Sequence, residues 1–417
     1  MFQRKTSEGM NHRGMTEERA SVSAGSITSP KGYQATGVAC GIKAGGLDLA
    51  LLVSQVPAAA AAVYTSNLFQ AAPLLVTKAS LAQEGRLQAV IVNSGNANAC
   101  TGERGLADAR AMQSAAAERL HLPAHLVAVA STGVIGQFLP MEKVLSGIAR
   151  AKCHAAGGGD FARAIMTTDL REKSFQLSVS VDGKPVTLAG AAKGSGMIHP
   201  NMATMLAFIA TDGAVEEKAL HQLLRQAVGE SFNMISVDGD TSTNDMVVIM
   251  ANGLAGNRPL HPEHPDWGSF SDALTLLCQE MAQSIARDGE GAEHLLEVQV
   301  SGAAHVEMAR AVAKSVVSSN LLKAAVFGAD ANWGRVVMAV GNSGQPLRPE
   351  RVSVRLGDVA VVAHGLPLPY DDAEASAQLR RERVVIGVDL GLGDARAVAW
   401  GCDLTYEYVK INASYRS

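Results

Sequence analysis

The sequence predicts an α+β fold in which mixed β-sheets are covered by helices. Strand-like and helix-like segments occur in both halves of the 417-residue chain without strict alternation. Residues 175–181 alternate in hydrophobicity and lead through Asp182-Gly183 into a second apolar run, which predicts a β-hairpin. A purely parallel sheet is therefore disfavoured. The chain length suits one large layered domain or two to three lobes.

The individual elements follow from local residue patterns. Short runs of β-branched and apolar residues predict strands at 87–92, 126–130, 175–181, 185–188, 205–210, 246–251, 296–300, 352–356, 384–388 and 397–408. Ala-rich or helix-spaced apolar stretches predict helices at 105–120, 140–150, 215–229 and 268–287. Pro140 suits the first turn of its helix. Three consecutive glycines, 157–159, are interpreted as a flexible joint.

Composition excludes several classes of protein. With 47% hydrophobic and 18% charged residues, the chain is neither disordered nor fibrous. A net charge of −4 gives no basic field for nucleic acid and no polybasic arm for a membrane. Five scattered cysteines without a Cys-x-x-Cys pair fit reduced thiols in the cytosol, and they argue against a structural zinc site.

The N-terminal region has no signal-peptide pattern. Residues 1–28 are polar, and we interpret them as a disordered extension or as a misassigned start, with Met10 and Met15 as later alternatives. The most apolar long stretch, 47–64, is interrupted by polar residues and falls short of about 20 apolar residues, so no membrane span is expected.

The most unusual segment runs from Lys193 to Gly213, where a glycine-rich polar stretch leads directly into an apolar strand. Thr204 stands at the junction, and a hydroxyl at the mouth of a buried strand is well placed for a nucleophile. If the bond between Ala203 and Thr204 were cut, the new α-amino group could accept the hydroxyl proton. From the pattern alone, a structural threonine at a strand start is the simpler alternative.

Three other motifs have less specific meanings. The lysine of Lys193-Gly194-Ser195 precedes its glycine, so the segment fails the P-loop pattern. Thr132-Gly133 follows a buried strand, where a hydroxyl and a backbone N–H could form an oxyanion site or simply a turn. The loop 236–245 (SVDGDTSTND) lacks the Gly and Glu of a calcium loop, and we interpret it as a solvated or self-capping loop. His199 has no partner histidine at metal-ligand spacing.

Several motifs in one order resemble the ornithine acetyltransferases of the ArgJ family. The resemblance covers nearly the whole chain from about Gly32 and includes KGSGMIHPNMATMLAFIATDG, AAVYTSNLFQAAP, VIVNSGNANACTG, STGVIG, SVDGDTSTND, DGEGA, SNLLKAAVFGADANWGR and YVKINASYRS. It implies self-cleavage between Ala203 and Thr204, which would give an α chain, 29–203 after the extension, and a β chain, 204–417. Both chains together would form one catalytic unit with mixed sheets between helix layers.

The resemblance also implies a mechanism and a set of site residues. Thr204 would carry acetyl from N-acetylornithine to glutamate as an ester, without a metal or other cofactor. Thr132 and Gly133 resemble the oxyanion pair. The implied substrate contacts are Thr167, Lys193, Thr204, Glu290, Asn412 and Ser417.

Two points about the activity and assembly stay open in the sequence. The resemblance implies an α2β2 assembly, and it leaves open whether acetyl-CoA is a second acetyl donor. The alternative activity is that of an N-terminal-nucleophile aminopeptidase or amidohydrolase, which would pass the acyl group to water. Residues 291–294 read GAEH, where family members usually have GATK, and the chain ends in Ser417, where they commonly have Thr.

Overall fold

A computed structural model describes residues 21–199 and 205–414 of the chain. Its described part contains two mixed β-sheets and eleven α-helices, which confirms the predicted class of mixed sheets with helices, although only four of the helices were predicted. In the described residues, no helix is both long enough and apolar enough to cross a bilayer.

In the described residues, the first sheet has nine strands, and it includes strands from before and after the predicted cut. Its members are β1 (Ser23–Ala24), β2 (Tyr33–Val38), β3 (Leu49–Tyr64), β4 (Arg86–Asn96), β5 (Val127–Val134), β6 (Lys173–Val181), β7 (Lys184–Lys193), β8 (Leu206–Thr211) and β10 (Met246–Ala251). The order is β1-β6-β7-β8-β10-β3-β4-β5, and β2 pairs with β3. β8 therefore lies between antiparallel β7 and parallel β10.

The second sheet has seven strands, all from the part of the chain after the predicted cut. They are β9 (Ile235–Ser236), β11 (Leu295–Ala303), β12 (Ser353–Leu356), β13 (Val359–Ala363), β14 (Leu366–Pro367), β15 (Arg383–Asp389) and β16 (Ala395–Cys402). Their order is β14-β13-β12-β15-β11-β16-β9. Parallel and antiparallel neighbours both occur, so this sheet is also mixed.

The helices cover the sheets and fill the space between them. They are α1 (Ala72–Glu84), α2 (Gly102–Leu120), α3 (Met141–Arg150), α4 (Gly158–Ala164), α5 (Glu217–Gly229), α6 (Trp267–Arg287), α7 (Val306–Val317), α8 (Asn320–Phe327), α9 (Trp333–Gly341), α10 (Asp372–Leu379) and α11 (Tyr406–Ser414). Helix α6 contacts strands of both sheets. The largest cluster of buried apolar residues therefore joins both sheets, and two smaller clusters lie elsewhere on the first sheet.

Most predicted elements are confirmed within a few residues, and two are wrong. The predicted strand 397–408 ends at Cys402, because Thr405 accepts a hydrogen bond from the N–H of Glu407 at 3.2 Å and α11 begins there. The glycines 157–159 form no flexible joint. A Cβ on Gly157 would lie 1.8 Å from the carbonyl oxygen of Ala35, so these glycines allow close packing where α4 begins.

The sequence patterns missed β3, although it is the longest strand. Residues 58–63 are all buried, and their small side chains allow both faces of the strand to be covered. Pro57 is exposed at an irregularity in the pairing of β3 with β4, which is where a sheet tolerates proline. Alanine favours helices, so only the tertiary packing makes this segment a strand.

The start of the described chain belongs to the fold. Residues 23–24 pair with β6, and Ile27 is fully buried. They are therefore part of the sheet rather than of the predicted extension. Residues 1–20 lie outside the described part of the chain.

Candidate active site

One cavity of about 140 Å³ brings together the described residues that the sequence singled out. Its wall includes the predicted positions Thr132, Gly133, Thr167, Lys193, Glu290 and Asn412. Three of these lie at or just beyond strand ends of the first sheet, and two come from the far half of the sequence. Strand ends and the loops that follow them often carry functional groups on a rigid scaffold.

The candidate oxyanion pair stands near the end of β5. Thr132 and Gly133 pair in parallel with Ser94 and Gly95 of β4, which fixes their backbone. The hydroxyl oxygen of Thr132 accepts a hydrogen bond from Lys193 Nζ at 3.3 Å. A hydroxyl that accepts from a lysine keeps its own proton for another acceptor. Thr132 can therefore donate to a negatively charged oxygen in the cavity.

Lys193 is the central cation of the cavity. It ends β7 and pairs with Leu206, the first residue of β8, so it lies beside the strand that follows the predicted cut. Its ammonium group also donates to the hydroxyl of Thr167 at 2.8 Å. Burial lowers the pKa of Lys193, while the nearby carboxylate of Asp169 acts in the opposite direction. The lysine can thus hold a carboxylate or share a proton with its neighbours.

A buried ion network supports this lysine from behind. Asp169 accepts from Lys173 Nζ at 2.7 Å and from the backbone N–H of Gly194 at 2.7 Å. Lys173 also donates to Asp288 at 2.6 Å. Burial alone would raise the pKa of Asp169, but the charges of Lys193 and Lys173 hold it well below its ordinary value. Asp169 is therefore ionised and fixes the position of residues 193 and 194.

Glu290 and helix α11 form another part of the cavity wall. Glu290 follows α6, and its backbone N–H donates to the carbonyl of Ser195 at 3.0 Å. Its side chain accepts from Asn412 Nδ2 at 2.8 Å, which joins α11 to the cavity. A Cβ on Gly196 would lie 2.5 Å from the Glu290 carboxylate, so this glycine leaves room for the acid. The cavity wall thus includes both a lysine, Lys193, and an acidic residue, Glu290.

The loop 236–245 caps itself, as predicted, since the N–H of Asp240 donates to Asp238 and that of Asn244 donates to Ser242, both at 3.2 Å, and it is also part of the site. Six of its residues line the cavity: Asp238, Asp240, Ser242, Thr243, Asn244 and Asp245. Burial raises the pKa of Asp245 well above its ordinary value, and its Oδ2 has no hydrogen-bond partner in the described residues. The dense polar composition of this loop was the sequence signal that could have indicated a site, but the spacing of its polar residues matched no known ligand-binding pattern.

Three predicted site residues cannot be located. Ala203, Thr204 and Ser417 lie outside the described residues. The nearest described residues of the cavity wall on either side of 200–204 are Ile198 and Met205. Tyr408 of α11 also lines the cavity, and the sequence patterns gave no reason to select it.

Comparison with known proteins gives the class of this site. Residues 34–417 match the model of the ArgJ family. The arginine biosynthesis bifunctional protein ArgJ of Geobacillus kaustophilus is 55% identical over 404 residues, which cover 96% of this chain and 98% of that protein.

Two solved structures of relatives also match. An arginine biosynthesis bifunctional protein ArgJ from Bacillus halodurans is 49% identical with a TM-score of 0.50, covering 51% of this chain and 100% of the solved chain. The ornithine acetyltransferase of Mycobacterium tuberculosis, solved with ornithine, is 46% identical with a TM-score of 0.42, covering 44% and 100%.

These matches define the protein as an acyltransferase. The chain belongs to the ArgJ family of arginine biosynthesis.

Proposed function

We propose that this protein transfers acetyl from N-acetylornithine to glutamate after cutting itself between Ala203 and Thr204. The observation that carries the proposal is the shared cavity. Residues from both predicted chains line it, with Thr132, Gly133, Thr167 and Lys193 before the cut and Glu290 and Asn412 after it. This arrangement supports one catalytic unit built from both chains.

The proposed cycle passes the acetyl group through an ester on Thr204. The α-amino group of Thr204 takes the hydroxyl proton, and the oxygen attacks the acetyl carbonyl carbon. Thr132 and Gly133 stabilise the negative oxygen, the C–N bond breaks, and ornithine leaves with a proton on its amine. The amino group of glutamate then attacks the ester, the C–O bond breaks, and the threonine hydroxyl is restored.

The charges of the cavity suit both substrates. Lys193 can bind the carboxylate that N-acetylornithine and glutamate share, because an ammonium group pairs with a carboxylate by a charge-assisted hydrogen bond. Glu290 can bind the free ammonium group of ornithine. The relative from Mycobacterium tuberculosis was solved in complex with ornithine, which supports this choice of ligand. The cycle requires no metal or other cofactor.

The lengths of relatives support the self-cleavage. The G. kaustophilus sequence matches 96% of this chain, yet the solved B. halodurans chain is covered completely by 51% of it. That share of 417 residues is about 213, close to the 214 residues of 204–417. We extend the proposal to an α2β2 assembly in the cytosol, with acetyl-CoA as a second donor to be tested separately.

Two measurements test the proposal. Mass spectrometry of the denatured protein should give two chains that break between Ala203 and Thr204, and a single 43.4 kDa chain in an active preparation would contradict it. Ornithine release from N-acetylornithine should rise when glutamate is added, and N-acetylglutamate should form. If release goes equally fast without glutamate, the enzyme hydrolyses its substrate, and the aminopeptidase alternative is correct.

A further inference from the structure

The segment before the predicted cut is fixed by an unusual number of contacts. The hydroxyl of Ser195 donates to the carbonyl of Asp288 at 2.7 Å. The carbonyl of Ile198 accepts from Val237 N–H at 2.6 Å, and Thr241 Oγ1 donates to the carbonyl of His199 at 2.8 Å. Residues 195–199 are thus tied to parts of the chain that lie beyond the cut.

Asp238 makes the central contact with this segment. One of its carboxylate oxygens accepts from the backbone N–H of Met197 at 2.6 Å, and the other accepts from that of Ile198 at 2.8 Å. A carboxylate that accepts two backbone N–H groups makes short, charge-assisted bonds. Asp238 follows β9 of the second sheet, so its carboxylate connects that sheet to the segment that leaves β7 of the first.

The conformation held by Asp238 is one that the chain rarely adopts by itself. Met197 has φ of 56°, in the left-handed region that residues other than glycine seldom occupy. Such conformations persist where surrounding contacts fix them, and they occur frequently at functional sites. Asp238 accepts one hydrogen bond from the N–H of Met197 itself and one from the N–H of the next residue, Ile198.

The second fixed point lies after the cut. The carbonyl of Met205 accepts from Met246 N–H at 2.9 Å, and β8 begins at the following residue. The bond between Ala203 and Thr204 therefore belongs to a short connection between two anchors, Ile198 and Met205. Freeing one anchor would let this connection sample many more conformations, and small displacements of reacting groups reduce rates strongly.

We propose that Asp238 is a positioning residue for self-cleavage, which holds residues 197 and 198 so that the Ala203–Thr204 bond is presented to the catalytic groups of the cavity. This inference rests on the proposed function and extends it to a residue outside the predicted set. The proposed role is positioning, because both carboxylate oxygens accept from backbone N–H groups of the segment before the cut, and one also accepts from the N–H of Asp240 at 3.2 Å.

The test is the rate of self-cleavage of the full-length chain. Wild-type protein and the variant Asp238→Asn are made by cell-free synthesis with a short pulse of label, and the loss of the 43.4 kDa chain is followed over time. The amide keeps the size of the side chain but offers only one acceptor oxygen. We expect the variant to cut at least about tenfold more slowly, since a shift of about 1 Å can cost about 10²-fold in rate.

Asp212→Asn is the matched control. Like Asp238, which is half-buried, the fully buried Asp212 accepts two backbone N–H groups, from Thr187 at 2.8 Å and Lys31 at 3.1 Å. It follows the far end of β8, about 20 Å from Met205 by strand rise. Asp212→Asn should cut within about twofold of the wild-type rate, even where both variants lower the melting temperature equally.

The outcomes separate this inference from the proposed function. A wild-type chain that never cuts would overturn self-cleavage itself. If the wild-type chain cuts, two results would overturn only the role of Asp238. Either Asp238→Asn cuts as fast as wild type, or Asp212→Asn cuts as slowly as Asp238→Asn. Where Asp238→Asn fails to fold, Asp238→Glu keeps the charge but displaces it by one methylene group. It should cut at least about fivefold more slowly, and a wild-type rate would overturn the inference.

Discussion

A Cβ atom on Gly133 would lie 2.3 Å from the carbonyl carbon of Gly95. The two glycines are paired in parallel strands, and Gly133 has φ of 133°. The backbones of β4 and β5 can therefore approach this closely only because Gly133 has no side chain. The contact lies next to Thr132, whose hydroxyl can donate into the cavity.

Gly133→Ala should lose activity and stability together. The new methyl group would clash with backbone atoms that cannot move aside, so we expect about 3 kcal/mol or more of destabilisation and a fall in kcat of at least about 10²-fold. Gly136→Ala is the control, since Gly136 has φ of 80° but nothing within 4 Å of an added Cβ. Melting curves and initial rates measure both effects, and equal losses in the two variants would contradict the argument.

Lys193→Met should reduce kcat/KM by at least about 10²-fold. The substitution keeps an unbranched side chain but removes the ammonium group that contacts Thr132 and Thr167. A charge-assisted contact to the substrate carboxylate would be lost with it. Lys184→Met, at the exposed opposite end of the same strand, should leave the kinetics unchanged. Unaltered KM and kcat in Lys193→Met would remove this lysine from the site.

Asp169→Asn should make the free energy of unfolding vary less with pH in the acidic range. The folded pKa of Asp169 is lowered, so its stabilising effect is complete above the unfolded pKa of about 4 and is lost as the pH falls below that value. The variant should lose about 3–5 kcal/mol at pH 7, because Lys173 keeps only one of its two carboxylate partners.

Denaturant unfolding of this variant at several pH values gives the test. The difference from wild type should narrow in acid, and a difference that is constant from pH 7 to pH 2 would contradict the assignment. Asp160→Asn breaks an exposed pair with Arg163 and should cost at most about 1 kcal/mol at any pH.

Asn412→Ala should raise KM by about fivefold with a smaller effect on kcat. The lost hydrogen bond to Glu290 is worth about 1 kcal/mol, and it holds α11 at the cavity. Lys410→Ala, which removes only an exposed pair with Glu407 on the same helix, is the control. A KM equal to that of wild type would show that α11 plays no part in substrate binding.

Thr204→Ala should leave the chain uncut and inactive, because no hydroxyl is present to attack. Thr204→Ser should still cut, at a lower rate, because its hydroxyl remains. Denaturing gels and mass spectrometry distinguish one chain from two. Two chains from Thr204→Ala would exclude this threonine as the nucleophile of self-cleavage.

The sequence predicted the fold best where residue patterns are local. The strand 246–251 and the helix 268–287 were predicted almost to the residue, since an apolar run and a helical period each bury a defined face. By contrast, the second half of β3 contains five consecutive alanines, 58–62, whose strand form depends on neighbours distant in sequence. Local propensity cannot show such an effect.

The candidate site was predictable only in part for a similar reason. Lys193 and Glu290 were selected because their motifs resemble those of a family, and both line the cavity. The role of Asp238 arises from contacts with residues 40 and 41 positions away in the sequence, and that of Asp245 arises from its burial. The sequence pattern showed that acidic residues are dense in this loop, but it could not show which groups their carboxylates contact.

The position of β8 between β7 and β10 has a consequence for the life of the protein. A break before β8 would nick a continuous hydrogen-bonded layer, and neither fragment would hold a complete copy of that layer. The uncut chain can refold as a single molecule, whereas two cut chains, once unfolded, would first have to meet by diffusion. Renaturation should therefore depend on protein concentration only after maturation, so the backbone scission would convert a reversible unfolding into one that is effectively permanent in dilute solution.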